Sequence, residues 1–113
     1  GATRLFDAIL AGLLDAHQRW PTGIYAVWFP IKLRQDAEIF YRRLTGLPHA
    51  NILVAELCLH QPNSALRLNG CGMAILNPPY RFEHTLAEIL PTLTKALEQS
   101  RYGTHDLRWL KRE

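Results

Sequence analysis

The chain of 113 residues holds only two cysteines, Cys58 and Cys71. Two thiols are too few for a disulfide framework, so reduced thiols and a cytosolic home are expected. No apolar run approaches the ~20 residues needed to cross a bilayer. The amino terminus lacks the basic start, apolar core and cleavage site of a secretory signal. It also lacks an initiating methionine, and a chain opening on Gly1 is expected of a processed or trimmed piece. Charge of one sign is scarce: 13 Lys and Arg stand against 10 Asp and Glu. That excess permits a polyanionic partner without demanding one. The seven glycines, Gly1, Gly12, Gly23, Gly46, Gly70, Gly72 and Gly103, form no glycine-rich turn between a strand and a helix. A nucleotide cradle of that kind is therefore absent from this chain.

What is present is ordinary folded chemistry, 48% apolar and 20% charged, in a length that suits one domain. Leu5, Phe6, Ile9, Leu10, Leu13 and Leu14 recur at helical spacing and predict an amphipathic helix over about 3–19. Pro21-Thr22-Gly23 ends it. The run Ile24 to Phe29, bounded by Gly23 and Pro30, reads as a short strand buried on both faces, as in a parallel sheet. A second helix is predicted over 32–45, with Leu33, Ala37, Phe40 and Leu44 inward and Gly46-Leu47-Pro48 as its stop. Residues 51–60 form a longer strand and complete a strand–helix–strand unit. The turn residues Gln61-Pro62-Asn63-Ser64 lead to a strand over 70–77, antiparallel to its predecessor. A helix over 83–99 carries Leu86, Ile89, Leu90, Leu93 and Leu97 inward, with Pro91 as a kink or break. Residues 105–110 make a short final strand. The series opens on a helix with no strand before it, and in an α/β domain such a helix crosses between two strands. The sheet is thus expected to start upstream of Gly1.

Several residues invite chemistry. Asn77-Pro78-Pro79-Tyr80 follows a hydrophobic strand and resembles the motif of amino-group methyltransferases. In that chemistry a side-chain oxygen and a backbone carbonyl accept the two hydrogens of an exocyclic amine, while an aromatic ring stacks on the base. The competing reading is a strand stopped by a Pro-Pro corner. Glu56 shares a strand face with Ile52, Val54 and Cys58; if buried it is either paired, as with Arg67 across the hairpin, or raised in pKa for proton transfer, and pairing or an exposed edge is the expectation. Cys58, His60, Cys71 and His105 could meet, but their spacing matches no common zinc module, so two buried thiols and no metal are expected. His17, His49 and His84 are scattered. Arg42-Arg43 and the Arg108–Arg112 tail could touch phosphate or simply be solvated.

Taken together, Trp20 to Lys32 (WPTGIYAVWFPIK), Ala55 to Cys58 (AELC) and Asn69 to Tyr80 (NGCGMAILNPPY) are similar, in order and separation, to the bacterial 23S ribosomal RNA adenine-N6 methyltransferase family. The resemblance covers nearly all of residues 3–113 and concerns the family's C-terminal part. It implies one segment, 1–113, forming the C-terminal half of a Rossmann-like class I fold, a mixed α/β sheet with an antiparallel hairpin. It further implies a cytoplasmic, S-adenosyl-L-methionine-dependent enzyme with 23S rRNA as partner, and neither membrane nor metal. The family's glycine turn and catalytic Asp-Pro-Pro-Tyr would lie upstream, so no catalytic or cofactor-binding residue falls in this segment, and the piece alone would be inactive. Asn77, Pro78, Pro79 and Tyr80 match the family's second, non-catalytic element and would form a pocket wall, with Trp28 or Phe29. Two rivals stay open: a stand-alone RNA- or protein-binding module, and Asn77–Tyr80 as the catalytic motif served by a cofactor domain on another chain.

Overall fold

The computed structural model describes residues 2–63, 67–97 and 102–113. Within them the order is α1 (Ala2–Arg19), β1 (Tyr25–Ile31), α2 (Arg34–Thr45), β2 (Ile52–Cys58), β3 (Gly70–Leu76), α3 (Phe82–Leu97) and β4 (Thr104–Lys111). Each matches an expected element. Ser64 of the anticipated turn and positions 98 and 99 of the anticipated last helix lie outside the described residues.

The strands form one sheet in the order β1-β3-β2-β4. All three described pairings are antiparallel, which corrects the expectation of a mixed sheet within this segment. The cause is the β2–β3 hairpin, which folds back as anticipated and drops β3 between β1 and β2. Because both strands run opposite to β3, β1 and β2 are parallel but not adjacent, and α2 crosses between them over an intervening strand. Among the described residues β1 therefore lies at the edge of the sheet, and it is not buried on both faces. Its burial alternates: Phe29 and Ile31 point into the core, while Trp28 on the opposite face is 54% exposed.

α1 and α2 cover one face of the sheet. Phe6 of α1 stacks on Phe40 of α2 with ring centroids 4.3 Å apart, and Phe29 of β1 meets Phe40 edge-on at 5.1 Å. Leu10, Leu13, Leu44, Ile52, Val54, Ala74 and Leu76 complete this core. Leu5 and Leu14, at the margins of the expected stripe, are exposed. α3 covers part of the other face and packs on β2 and β4. It runs through Pro91 without a break, and Leu90 and Thr94 are its buried residues. Ile89, Leu93 and Leu97, expected inward, are exposed. Their stripe, with Trp28 and Met73, leaves the second face of β1 and β3 largely open.

Candidate functional site

Glu56 is 4% exposed and faces α2 from the middle of β2. Its two carboxylate oxygens accept from Arg34 at 2.8 Å each, and the Tyr41 hydroxyl donates to one of them. Glu38 links Arg34 to Arg108, and the Arg108 guanidinium lies 4.7 Å over the Tyr41 ring. Burial pushes the Glu56 carboxyl up, but the Arg34 and Tyr41 hydrogen bonds and the Arg34 charge outweigh it and hold it below the usual carboxylate range. Burial and the bond to Glu56 push the Tyr41 phenol far up. A carboxylate kept ionised and triply hydrogen-bonded is a poor proton acceptor, so this cluster clamps α2 onto the sheet. Arg67, the partner named from the sequence, bonds Asn69 instead. A cavity of about 330 Å³ beside the cluster is lined by Arg34, Glu56, Thr104, His105 and Asp106 among others.

The carboxyl ends of β1 and β2 lie side by side across β3, because Ile31 and Cys58 both pair with Gly70. In open α/β sheets ligands sit outside the carboxyl ends of parallel strands. Here the turn after β1 and the loop before β3 are tied together. Asn69 N–H donates to the Ile31 carbonyl at 2.9 Å, its side-chain amide donates to the Lys32 carbonyl at 2.6 Å, and Arg34 N–H donates to the Pro62 carbonyl at 3.1 Å. Asn69 is 1% exposed. From the sequence it is named only as the start of the stretch Asn69 to Tyr80 and is given no role of its own. The signal was its place next to a strand whose opposite end is closed by another asparagine.

That other end holds Asn77-Pro78-Pro79-Tyr80. Asn77 adopts φ 58°, a conformation asparagine tolerates better than most residues. Its side-chain amide donates to the Gly23 carbonyl at 2.9 Å and the Pro21 carbonyl at 3.1 Å. The asparagine thus fastens the α1–β1 turn to the end of β3, at the amino ends of β1 and β2. Tyr80 is 91% exposed. Phe29 is fully buried in the core, whereas Trp28 is open. The motif, Trp28 and Phe29 are thus not gathered around one site.

The soft ligands do not gather either. Register sets Cys58 against Gly70 and Cys71 against Leu57, so strand alternation places the two sulfurs on opposite faces. Among the described residues no group of three or more His, Cys, Asp or Glu could hold a metal ion. Two histidines that looked scattered do meet: the rings of His17 and His49 lie 4.7 Å apart, with the Tyr25 ring edge-on to His49. His49 is fully buried and neither ring nitrogen has a partner. Burial first, then the nearby His17 and Lys111, pushes its pKa down. No short-range sequence pattern joins positions 17 and 49.

S-adenosyl-L-methionine would need a glycine turn between a strand and a helix. Gly70 and Gly72 lie inside β3, where a Cβ at Gly70 would come within 2.5 Å of the Leu57 carbonyl and one at Gly72 would strike the Phe29 ring. These glycines let strands and core approach closely and cradle no ligand. Gly12 and Gly46 lie within and just after helices. The residues present do not fit the methyl donor. No described helix is long and apolar enough to cross a membrane.

The family model for Ribosomal RNA large subunit methyltransferase D, RlmJ, matches residues 2–111. Ribosomal RNA large subunit methyltransferase J of Haemophilus influenzae is 31% identical over 108 residues, 96% of this chain and 38% of that protein. Its Escherichia coli namesake is 29% identical over 105 residues, 93% of this chain and again 38% of that protein. The crystal structure of protein LPL1258 from Legionella pneumophila superposes with a TM-score of 0.75 at 25% identity, covering 91% of this chain and 38% of that one. The chain therefore spans about two fifths of the length of these relatives. With a match over residues 2–111, the chain belongs to the family of ribosomal RNA large subunit methyltransferase D, RlmJ.

Proposed function

We propose that this chain is the C-terminal part of a Rossmann-like class I methyltransferase that transfers the methyl group of S-adenosyl-L-methionine to N6 of one adenine in 23S rRNA. The observation that carries the reading is the state of β1. It pairs with β3 on one side, and among the described residues nothing pairs with it on the other. Its second face, around Trp28 and Met73, is open. Long open edges and broad apolar faces are normally covered. A preceding strand parallel to β1 would cover this one and make the whole sheet mixed. The methyl donor supplies an electrophilic methyl, and the polypeptide completing the sheet would hold it.

In this reading the segment contributes the back of the sheet and the loops at the carboxyl ends of β1 and β2. The Arg34–Glu56–Tyr41 clamp holds α2, and with it the turn at Lys32, in place. Asn77, Pro78 and Pro79 anchor the opposite end, and the free Tyr80 ring is left for contact outside the segment. Such an enzyme works in the cytoplasm, where its rRNA is made. Isothermal titration with S-adenosyl-L-methionine tests the division of labour. Heat of binding is expected from the intact protein and none from residues 1–113 alone; saturable binding to the 113-residue chain would overturn the reading.

A further inference from the structure

We propose that Lys32 and Arg67, held together by the buried Asn69, form a phosphate-binding edge that docks single-stranded rRNA at the carboxyl ends of β1 and β2. The inference rests on the methyltransferase reading above and deepens it by naming where the RNA backbone lies.

Asn69 joins the two cations. Its Oδ1 accepts from Arg67 Nε at 2.7 Å, and its Nδ2 donates to the Lys32 carbonyl at 2.6 Å. One buried amide thus fixes the turn that carries the lysine and holds the Nε of the guanidinium. Both side chains belong to exposed residues. Fixing a cation before the ligand arrives lowers the ordering cost of binding.

Pairing sets these two apart from five other basic side chains, while among the described residues Arg4, Arg42, Arg81, Lys95 and Lys111 likewise form no ion pair. Arg19 pairs with Asp15, Arg34 with Glu56, Arg43 with Asp7, Arg108 with Glu38 and Arg112 with Glu83. Among the described residues Lys32 and Arg67 make no ion pair. Within the two stretches of chain that carry them, residues 16–35 and 57–82, there is no Asp or Glu, so Asp36 is the carboxylate that shares a cavity with Lys32, one of about 200 Å³, without pairing with it. Two exposed cations thus lie on two loops that the hydrogen bonds join into one rim. A polyanion fits it, and arginine and lysine suit phosphate oxygens.

The neighbouring surface favours a single strand. Trp28, Leu68, Asn69 and His60 line a mostly apolar groove of about 330 Å³ next to the rim. Single-stranded RNA is bound by cations that track its backbone beside flat apolar surfaces that receive unstacked bases.

The test uses the intact protein and protein-free, unmodified 23S rRNA. Binding is measured as a function of salt for wild type, for Lys32→Ala with Arg67→Ala, and for Arg81→Ala. Arg81 is an exposed arginine at the opposite end of the sheet and serves as control. Near-ultraviolet circular dichroism checks that each variant is folded, and methyl incorporation is read in parallel. The double variant is expected to bind about tenfold more weakly, with the slope of log K against log salt reduced by about 1.4, or 0.7 for each lost single-strand phosphate contact. Arg81→Ala is expected to match wild type. Equal binding by the double variant and wild type overturns the proposal. So does an equal loss in Arg81→Ala, which would mean a diffuse field rather than a built edge. Wild type that neither binds nor methylates the RNA overturns the methyltransferase reading itself, a result distinct from methylation that ignores both substitutions.

Discussion

Arg34 grips Glu56 through two parallel hydrogen bonds of 2.8 Å, one to each carboxylate oxygen. The pair ties the first turn of α2 to the middle of β2. Arg34→Ala leaves a buried carboxylate with Tyr41 as its main remaining donor. The expected loss is about 2–3 kcal/mol by urea unfolding, the upper range for bonds to charged groups. It falls short of a fully buried pair because the Arg34 side chain is 41% exposed. A double-mutant cycle should give a coupling energy above ~1 kcal/mol for Arg34 with Glu56 and near zero, within ~0.5 kcal/mol, for Arg67 with Glu56. Since the folded pKa of Glu56 is depressed, its contribution is present above the unfolded value of about 4.3 and is lost as pH falls through the lower folded value.

His49 acts on the same acid side of the pH profile as Glu56, but begins at higher pH. It is buried with both nitrogens unpartnered, faces His17 from α1 and the Tyr25 ring from β1, and feels the Lys111 cation of β4. Its folded pKa is lowered, so below the unfolded value of about 6.5 the unfolded chain binds more protons than the folded one, and stability falls with pH. The slope is bounded by about 1.4 kcal/mol per pH unit. Unfolding free energies between pH 7 and 5 should drop for wild type and flatten in His49→Phe. Equal slopes for the two proteins would show that His49 does not carry this loss.

Asn77 offers a test of chemistry against architecture. Asn77→Ala removes two hydrogen bonds and puts alanine at φ 58°. A loss of about 1–3 kcal/mol is expected, with Asn77→Gly milder because glycine accepts that backbone. In the intact protein the methylation rate per folded molecule should stay within about twofold, or ~0.4 kcal/mol of barrier. Collapse of that rate with the fold intact would make Asn77 catalytic.

The open edge of β1 has its own signature. In residues 1–113 alone, hydrogen exchange of β1 amides should alternate, slow where the N–H points at β3 and fast where it points outward. In the intact protein both sets should be slow. Fast exchange at the outward amides of the intact protein would leave β1 a true edge.

Much of this was legible from residues alone. Periodicity located each element because Phe6, Leu10 and Leu13, or Phe40 and Leu44, answer to a local 3.6-residue repeat. Connection rules also lead to an expected strand ahead of α1, which belongs to the proposal above. Three things were not legible. The antiparallel order depends on β3 inserting between β1 and β2, a long-range choice that no local pattern encodes. The partner of Glu56 was sought across the hairpin, yet Arg34 reaches it from α2, 22 positions away. The apolar stripe of Ile89, Leu93 and Leu97 was assigned to the core because periodicity shows that a face wants cover, not whether this segment supplies it. At the candidate site, Lys32 and Arg67 lay among dispersed basic residues until Asn69 linked them.

The most direct measurement is the product formed by the intact protein on unmodified 23S rRNA with isotopically labelled S-adenosyl-L-methionine. Nuclease digestion and mass spectrometry should find the label in N6-methyladenosine at one position. Residues 1–113 alone should form none. Label in another base or another atom, or methyl transfer by the 113-residue chain unaided, would contradict the assignment of this segment to the donor-free rear of an adenine-N6 methyltransferase.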